Sequence, residues 1–410
     1  MALSKNLTAT AYVVSRILCV PFWGLFYLLP IILYKDLHAS SLQITLMVAL
    51  KPLASLLSPY WSQRVHTTRE RLIPNLIWGN IIKFTPFLFF PFIDNPWFYI
   101  FSFALHMALC RGTIPAWMEL LKLNIPSEKR SKVCAFASSI DYLGVALLPL
   151  LFGGLLDHVS ESWRWLFPLA ALLGILSSYP ISKISILQPQ ENEASDPIKG
   201  LNHLLSPWKS GWNLLKSRKD FALFQWGFFF AGGGLMIIQP ALPKYFVDTL
   251  HLSYSDLLTA FAALKGIGFV LSSPLWVKFF NRSRIFILCA YVTCAAALFP
   301  LLLIFAKTSS SIIFIAYLFY GVMQGGSELS WKMSGSVFSK EKNSAPFSSV
   351  NVLAVGIRGL IFPFLGSLAF FQLGSPIAVL LLGTTLCLLG TLTLSLNGKR
   401  HPIGIEKVEA

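Results

Sequence analysis

Charge is scarce in this chain. Asp, Glu, Lys and Arg make up 12% of its 410 residues, about half of the roughly 25% usual in soluble globular proteins. A soluble core this apolar would have nowhere to put its surface, which excludes an ordinary soluble enzyme and a disordered chain. Acid is scarcer than base, with 18 Asp and Glu against 33 Lys and Arg and a net charge of +15. Cysteine is sparse too. Cys19, Cys110, Cys134, Cys289, Cys294 and Cys387 lie inside apolar runs and form no C-x-x-C, so they read as small packing residues rather than a disulfide framework or metal site. No H-E-x-x-H, G-x-S-x-G or Walker P-loop occurs. This argues against an intramembrane enzyme and direct ATP drive, and no cofactor is expected. No cleavable signal is apparent, because the first apolar run is too long for one.

What is abundant is hydrocarbon. Hydrophobic residues make up 55% of the chain and aromatics 14%, and the mean hydropathy is +0.65. A helix needs about 20 predominantly apolar residues to cross a bilayer. Twelve such runs are expected, at 11–33, 41–61, 74–93, 97–121, 133–156, 164–182, 221–243, 257–277, 285–306, 311–335, 346–371 and 375–396; they are called spans 1 to 12 below. The polar stretch Gln188–Pro207 divides them. The expected organisation is a six-helix bundle over 1–187, a linker over 188–220, a second six-helix bundle over 221–396 and a tail over 397–410. Trp208, Trp212 and Leu215 sit at helical spacing near Lys209, Lys216, Arg218 and Lys219. The linker therefore ends either in a short interfacial helix or in an irregular basic segment.

The basic residues are unevenly placed. The connections on the side of the N-terminus hold 23 Lys and Arg, and those on the other side hold 4. This asymmetry places both termini in the cytoplasm, in a protein expected in a bacterial inner membrane. It also accounts for most of the excess charge, so no nucleic-acid partner is expected. The expected partners are a small-molecule solute and the lipid bilayer, around a monomer.

The two halves repeat each other. Leu29-Pro30 returns as Leu242-Pro243, Leu37-His38 as Leu250-His251, and Ala49-Leu50-Lys51 as Ala263-Leu264-Lys265. Ser58-Pro59-x-Trp61 returns as Ser273-Pro274-x-Trp276, Trp117 as Trp331, and Ser138-Ser139 as Ser348-Ser349. A same-direction repeat of six helices implies two bundles related by an axis along the membrane normal, with a cavity between them.

Local motifs carry a resemblance. The connection after span 2 reads Pro59-Tyr-Trp-Ser-Gln63-Arg64, followed by Arg69-Glu-Arg71. Span 4 carries Arg111-Gly112, and the next connection reads Ile125-Pro126-x-Glu128-Lys129-Arg130. Span 5 carries Gly144, Pro149 and Gly153-Gly154, and span 6 opens Trp163-Arg164-Trp165. With twelve spans in two parallel halves, these features resemble the major facilitator superfamily. The family's G-x-x-x-D-R loop keeps its Arg here as Arg64, but Gln63 stands where the family has Asp. The resemblance implies an all-α membrane protein, with twelve transmembrane helices in two six-helix bundles around a central cavity. It implies that spans 1, 2, 4, 5, 7, 8, 10 and 11 line the cavity, with span 5 beside span 8 and span 2 beside span 11. It marks Gln63 and Arg64 as a gating loop.

Nine charges remain inside the spans: Arg16, Lys51, Lys83, Arg111, Lys265, Arg358, Glu119, Asp141 and Glu328. Each costs about 2.5–3.5 kcal/mol at a helix centre on insertion scales, so such residues face cavities or partners. All but Lys83 fall on lining spans. Lys51 and Arg358 are expected to approach as like charges, whose repulsion an anion between them would remove. They are therefore candidates to hold an anionic solute, with Arg111, Arg16 and Lys265 as further substrate-binding candidates. Asp141 is expected to meet Lys265. Asp141, Glu328 and His106 are the candidates for proton coupling. The run Gly232-Gly233-Gly234 in span 7 invites bending or close helix approach. The leading reading is a secondary transporter of a small organic anion by alternating access, proton-coupled or by exchange. The alternatives are an efflux antiporter for amphipathic, drug-like compounds and a non-transporting membrane sensor or scaffold.

Overall fold

The structure is a computed structural model that describes residues 2–57, 60, 71–148, 152–185, 201–280, 284–339 and 345–400. A helix occupies each of the twelve expected places. Span 1 is Ala2–Lys35. Span 2 is Ser41–Leu53, tightening into the turn Ala54–Leu57. Span 3 is Leu72–Phe92, span 4 Pro96–Asn124, span 5 Ser127–Leu148 and span 6 Trp163–Ser182. The second half consists of Lys219–Thr249, Tyr254–Phe280, Ile285–Phe305, Ile312–Ser339, Ala345–Leu373 and Pro376–Arg400. Nine helices among the described residues are long and apolar enough to cross a membrane. The linker forms a helix over Leu201–Ser217. The loop bearing Gln63 and Arg64 lies outside the described residues.

The repeat extends from sequence to backbone. His38 and His251, equivalent in the two halves, both adopt left-handed conformations with φ of 48° and 50°, a region that His tolerates better than most residues. Two residues later in each half a serine caps the next helix. Ser40 Oγ accepts from Gln43 N–H and Ser40 N–H donates to Gln43 Oε1 in return, and Ser253 and Asp256 make the same reciprocal pair. Packing repeats as well. Span 1 lies against spans 5 and 6, as span 7 lies against 11 and 12; span 4 lies against 2 and 3, as span 10 lies against 8 and 9.

Between the halves, span 2 packs on span 11 and span 5 on span 8. The glycine run of span 7 allows close approach: Gly232 faces the guanidinium of Arg358, Gly233 the ring of Phe362, and Gly234 the backbone of Gly383, and a Cβ at any of the three would collide. With both ends of the described chain at one end of the bundle, polar bonds join the halves at the opposite, far end. Asp36 accepts from Tyr254 Oη at 2.8 Å and, within its own half, from Trp163 Nε1 at 2.6 Å. Asp157 accepts from the backbone N–H groups of Tyr254 and Ser255 at 2.7 and 3.1 Å, capping the helix of span 8. Tyr34 donates to Asp248 at 2.5 Å, and Lys35 lies 4.3 Å from the Tyr254 ring centre. Nearer the terminal end, Tyr142 of span 5 stacks on Phe269 of span 8 and donates to Glu328 of span 10 at 3.0 Å.

Candidate functional site

Two cavities lie between the halves, stacked along the bundle axis. The one nearer the far end has a volume of about 170 Å³ and is lined by spans 1, 2, 4, 7, 8, 9 and 10. Nearly half of its lining residues are aromatic: Phe26, Tyr27, Phe103, Phe246, Phe261, Phe299, Tyr317 and Tyr320. Lys51 and Lys265 are its charged lining residues, and among its described lining residues there is no Asp or Glu.

The two lysines stand where helix geometry breaks. Lys51 immediately precedes Pro52, after which span 2 tightens into a 3₁₀ turn. Lys265 follows a wide π turn over Thr259–Leu264, an irregularity common at functional sites. Both ammonium groups lie over the ring of Tyr27, at 5.0 and 5.1 Å from its centre, and Lys265 also lies 5.2 Å from the ring centre of Tyr320. An ammonium over an electron-rich ring face gains a cation–π contact. With each ammonium about 5 Å from the same ring centre, the two cations are at most about 10 Å apart. Two like charges sharing one ring form a strong local demand for an anion.

The second cavity, about 610 Å³, lies toward the terminal end and is more polar. Arg111, Gln324, Ser327, Glu328, Trp331 and Arg358 are among its lining residues, and Leu235, Gln239 and Tyr320 border both cavities. Arg358 is 7% exposed and donates Nη1 to the Phe228 carbonyl at 2.5 Å.

The structure thus rearranges the expected partnerships. Lys51 and Arg358 do not share a cavity; Lys51 faces Lys265 and Arg358 faces the cavity of Arg111. The reason is helix rotation. Span 2 meets span 11 through Pro52 and Leu56, which lie against Gly359 and Gly356. Neighbouring residues on a helix are turned by about 100°, which aims Lys51 away from that contact. Asp141 is bonded to Arg16 at 3.1 Å rather than to Lys265. Spans 1 and 5 pack within one half, and Arg16 Nη2 also donates to Tyr12 Oη. Arg16 is therefore engaged by a carboxylate and lines neither cavity. His106, 1% exposed, is packed among Phe22, Phe26, Phe84 and Phe87, with Nδ1 3.4 Å from the Lys83 carbonyl. It also lies outside both cavities. Glu328 lines the arginine cavity.

The tyrosines are what sequence reasoning missed. Nothing in the spacing of Tyr27 or Tyr320 separates them from the other aromatics of their spans. The repeat signalled the lysines, which hold equivalent positions in the two halves, but not Tyr27, whose counterpart is Pro240. Of the tryptophans, Trp331 lines the arginine cavity, Trp117 packs on Tyr12, Trp23 packs on Phe26, and Trp226 is 54% exposed.

No curated protein sequence matches the chain. Its fold is similar to solved structures of transporters at low identity. A mutant form of the nucleoside transporter NupG has a TM-score of 0.73 and 13% identity, with 95% of this chain and 99% of that one covered. An auto-inhibited peptide transporter of the POT family has a TM-score of 0.71 and 10% identity, with 99% of each chain covered. A D-xylose–proton symporter has a TM-score of 0.67 and 12% identity, with 96% and 97% covered. The sequence profile of the Major Facilitator Superfamily matches residues 12–363. Matched over that length, with the helices and halves to go with it, the chain belongs to the major facilitator superfamily and is an integral membrane transporter.

Proposed function

We propose that this transporter moves a small organic anion with an apolar or aromatic body, by alternating access, and that Lys51 and Lys265 hold its anionic group. The observation that carries this reading is the pair of repeat-equivalent lysines over one tyrosine ring, in an aromatic cavity between the halves. An anion between the two ammonium groups relieves their repulsion, and the aromatic walls supply apolar contact for the rest of the solute. Tyr27 holds the lysines when the solute is absent and yields them when it arrives. Arg111 and Arg358 serve the pathway on the terminal side. Arg16 acts on Asp141 and supports the bundle.

Glu328 is the coupling group best placed for protonation or exchange, because it borders the pathway and is held by Tyr142 across the two halves. Asp141 acts through Arg16, and His106 acts as packing. The bonds of Asp36, Asp157 and Tyr34 close the far end, and opening there requires them to part. The basic excess on the terminal side places both termini in the cytoplasm of a bacterial inner membrane, with Gln63 and Arg64 in a gating loop there. The domain limits stay at 1–187, 188–220, 221–396 and 397–410, and the working unit is a monomer. Family likeness does not choose the solute, because one fold serves many.

The aromatic walls favour a second reading, efflux of amphipathic drug-like compounds. A thermal-shift panel on the purified protein separates the two, since a ligand that binds only the folded state raises its stability. Stabilisation by organic carboxylates or phosphates is expected, and Lys51→Gln and Lys265→Gln should each remove it. Stabilisation by hydrophobic cations alone, unchanged in both variants, would overturn the anion reading in favour of efflux.

A further inference from the structure

We infer that the arginine cavity is an oxyanion-binding site in its own right, separate from the lysine cavity, so that the transporter holds two anions in tandem along its axis. Arg111 from one half and Arg358 from the other line it together. Arg358 is 93% buried, being 7% exposed. Its Nη1 bonds the Phe228 carbonyl, but its Nε is buried with no hydrogen-bond partner, and so is Nε of Arg111. A buried donor on a permanent cation is costly to leave unmet. Both guanidinium groups belong to residues that line one cavity, so an anion there would face two cations at once.

The space is built for the guanidinium. Gly232 lies beneath it, and any side chain there would strike it. Planar guanidinium groups present paired donors that suit carboxylate and phosphate, whereas an ammonium is a point charge. The amide oxygen of Gln324, which lines the same cavity, is buried without a donor. The ligand class that suits two guanidinium groups and an amide side chain lining one cavity is an oxyanion carrying a hydroxyl. Glu328 is the acid among the lining residues, and its carboxylate is already engaged by Tyr142. Leu235, Gln239 and Tyr320 separate this cavity from the lysine cavity. Lys265 lies 5.2 Å from the ring centre of Tyr320 and lines only the lysine cavity, as Arg111 and Arg358 line only the other. Two anions held at once fit an exchange of one anion for another.

Arsenate is the probe, because it is a tetrahedral oxyanion that bears a hydroxyl near neutral pH and scatters anomalously. Crystals of the full chain soaked in arsenate should show two anomalous peaks, one between Lys51 and Lys265 and one against Arg111 and Arg358. Arg358→Gln should remove the second peak and spare the first, while Lys265→Gln should do the reverse. Arg111→Gln serves as a second variant, because Arg358 also ties span 11 to span 7 and its loss disturbs packing. A peak at the lysines alone would overturn this inference and leave the proposed function standing. A peak at the arginines alone would keep the inference and remove the proposed role of the lysines. A second peak that survives both arginine substitutions would also overturn it.

Discussion

Lys51 and Lys265 occupy equivalent places in the two halves, whereas Arg111 and Arg358 have Gly325 and Leu148 as their counterparts. The two cavities are therefore made differently. In the lysine cavity each half brings the same residue to the axis, and the like charges meet because the repeat makes them meet. One aromatic ring from span 1 lies within reach of both, and its own counterpart in span 7 is Pro240. In the arginine cavity each half contributes a cation that the other lacks, from span 4 and from span 11. The small residue Gly232 was needed to make room, and Glu328 was added nearby. Symmetry produces a site that treats the two halves alike, and departure from symmetry gives the pathway two distinct ends.

Substitutions at five residues would break or sharpen this contrast. The largest effect is expected from Lys51→Gln combined with Lys265→Gln, which should reduce anion-dependent stabilisation and uptake into proteoliposomes to background. Each single change should weaken binding by roughly 30-fold or more, the scale of losing one partner of a desolvated charge contact. Retained uptake in the double variant would place the anion elsewhere. Next, Arg358→Gln should abolish binding in the arginine cavity while changing affinity at the lysines by less than about threefold, since separated sites are nearly additive. Equal losses at both sites, measured by titration with a stabilising anion and with arsenate, would merge the two cavities into one.

A smaller effect, of opposite sign, is expected from Glu328→Gln. Removing a negative charge from the arginine cavity should tighten arsenate binding there by about tenfold, or about 1.4 kcal/mol. Weaker binding would show that Glu328 helps to hold the anion. The smallest effect is expected at Tyr27. Replacement by Phe keeps the ring face and should leave the unfolding midpoint of the empty protein unchanged. Replacement by Leu removes cation–π contacts worth about 0.5–2 kcal/mol and should lower the midpoint measurably in a detergent melt. Equal midpoints for Phe and Leu would remove the ring from its role as resident partner of the lysines.

Much of this was legible in the residue order, but unevenly. Each span announced itself through a run of apolar residues, because burial in lipid is a local property that adds along a segment. The repeat was legible because matches such as Ala49-Leu50-Lys51 and Ala263-Leu264-Lys265 keep their order. The charges inside the spans also stood out, since each is costly there. Their partners did not. Asp141 was expected to reach Lys265 and is bonded to Arg16, and Lys51 was expected to face Arg358 and shares Tyr27 with Lys265. A helix turns about 100° per residue, so knowing that two spans adjoin leaves open which faces they turn to each other. Gly356 and Gly359 settle that for span 11, by admitting Leu56 and Pro52 and so fixing the rotation of span 2. His106 has a polar side chain on a lining span, yet its direction puts it among phenylalanines.

The sequence by itself determined that the chain uses lipid as solvent, crosses it through two matching sets of six helices, and carries cations within them. Those properties depend on composition, spacing and order, which are written locally. Only the tertiary structure decided which cations share a cavity, which carboxylate is already engaged, and which aromatic ring two lysines share. Those depend on the rotation and depth of helices packed against one another, where one residue of rotation exchanges a cavity wall for a buried contact.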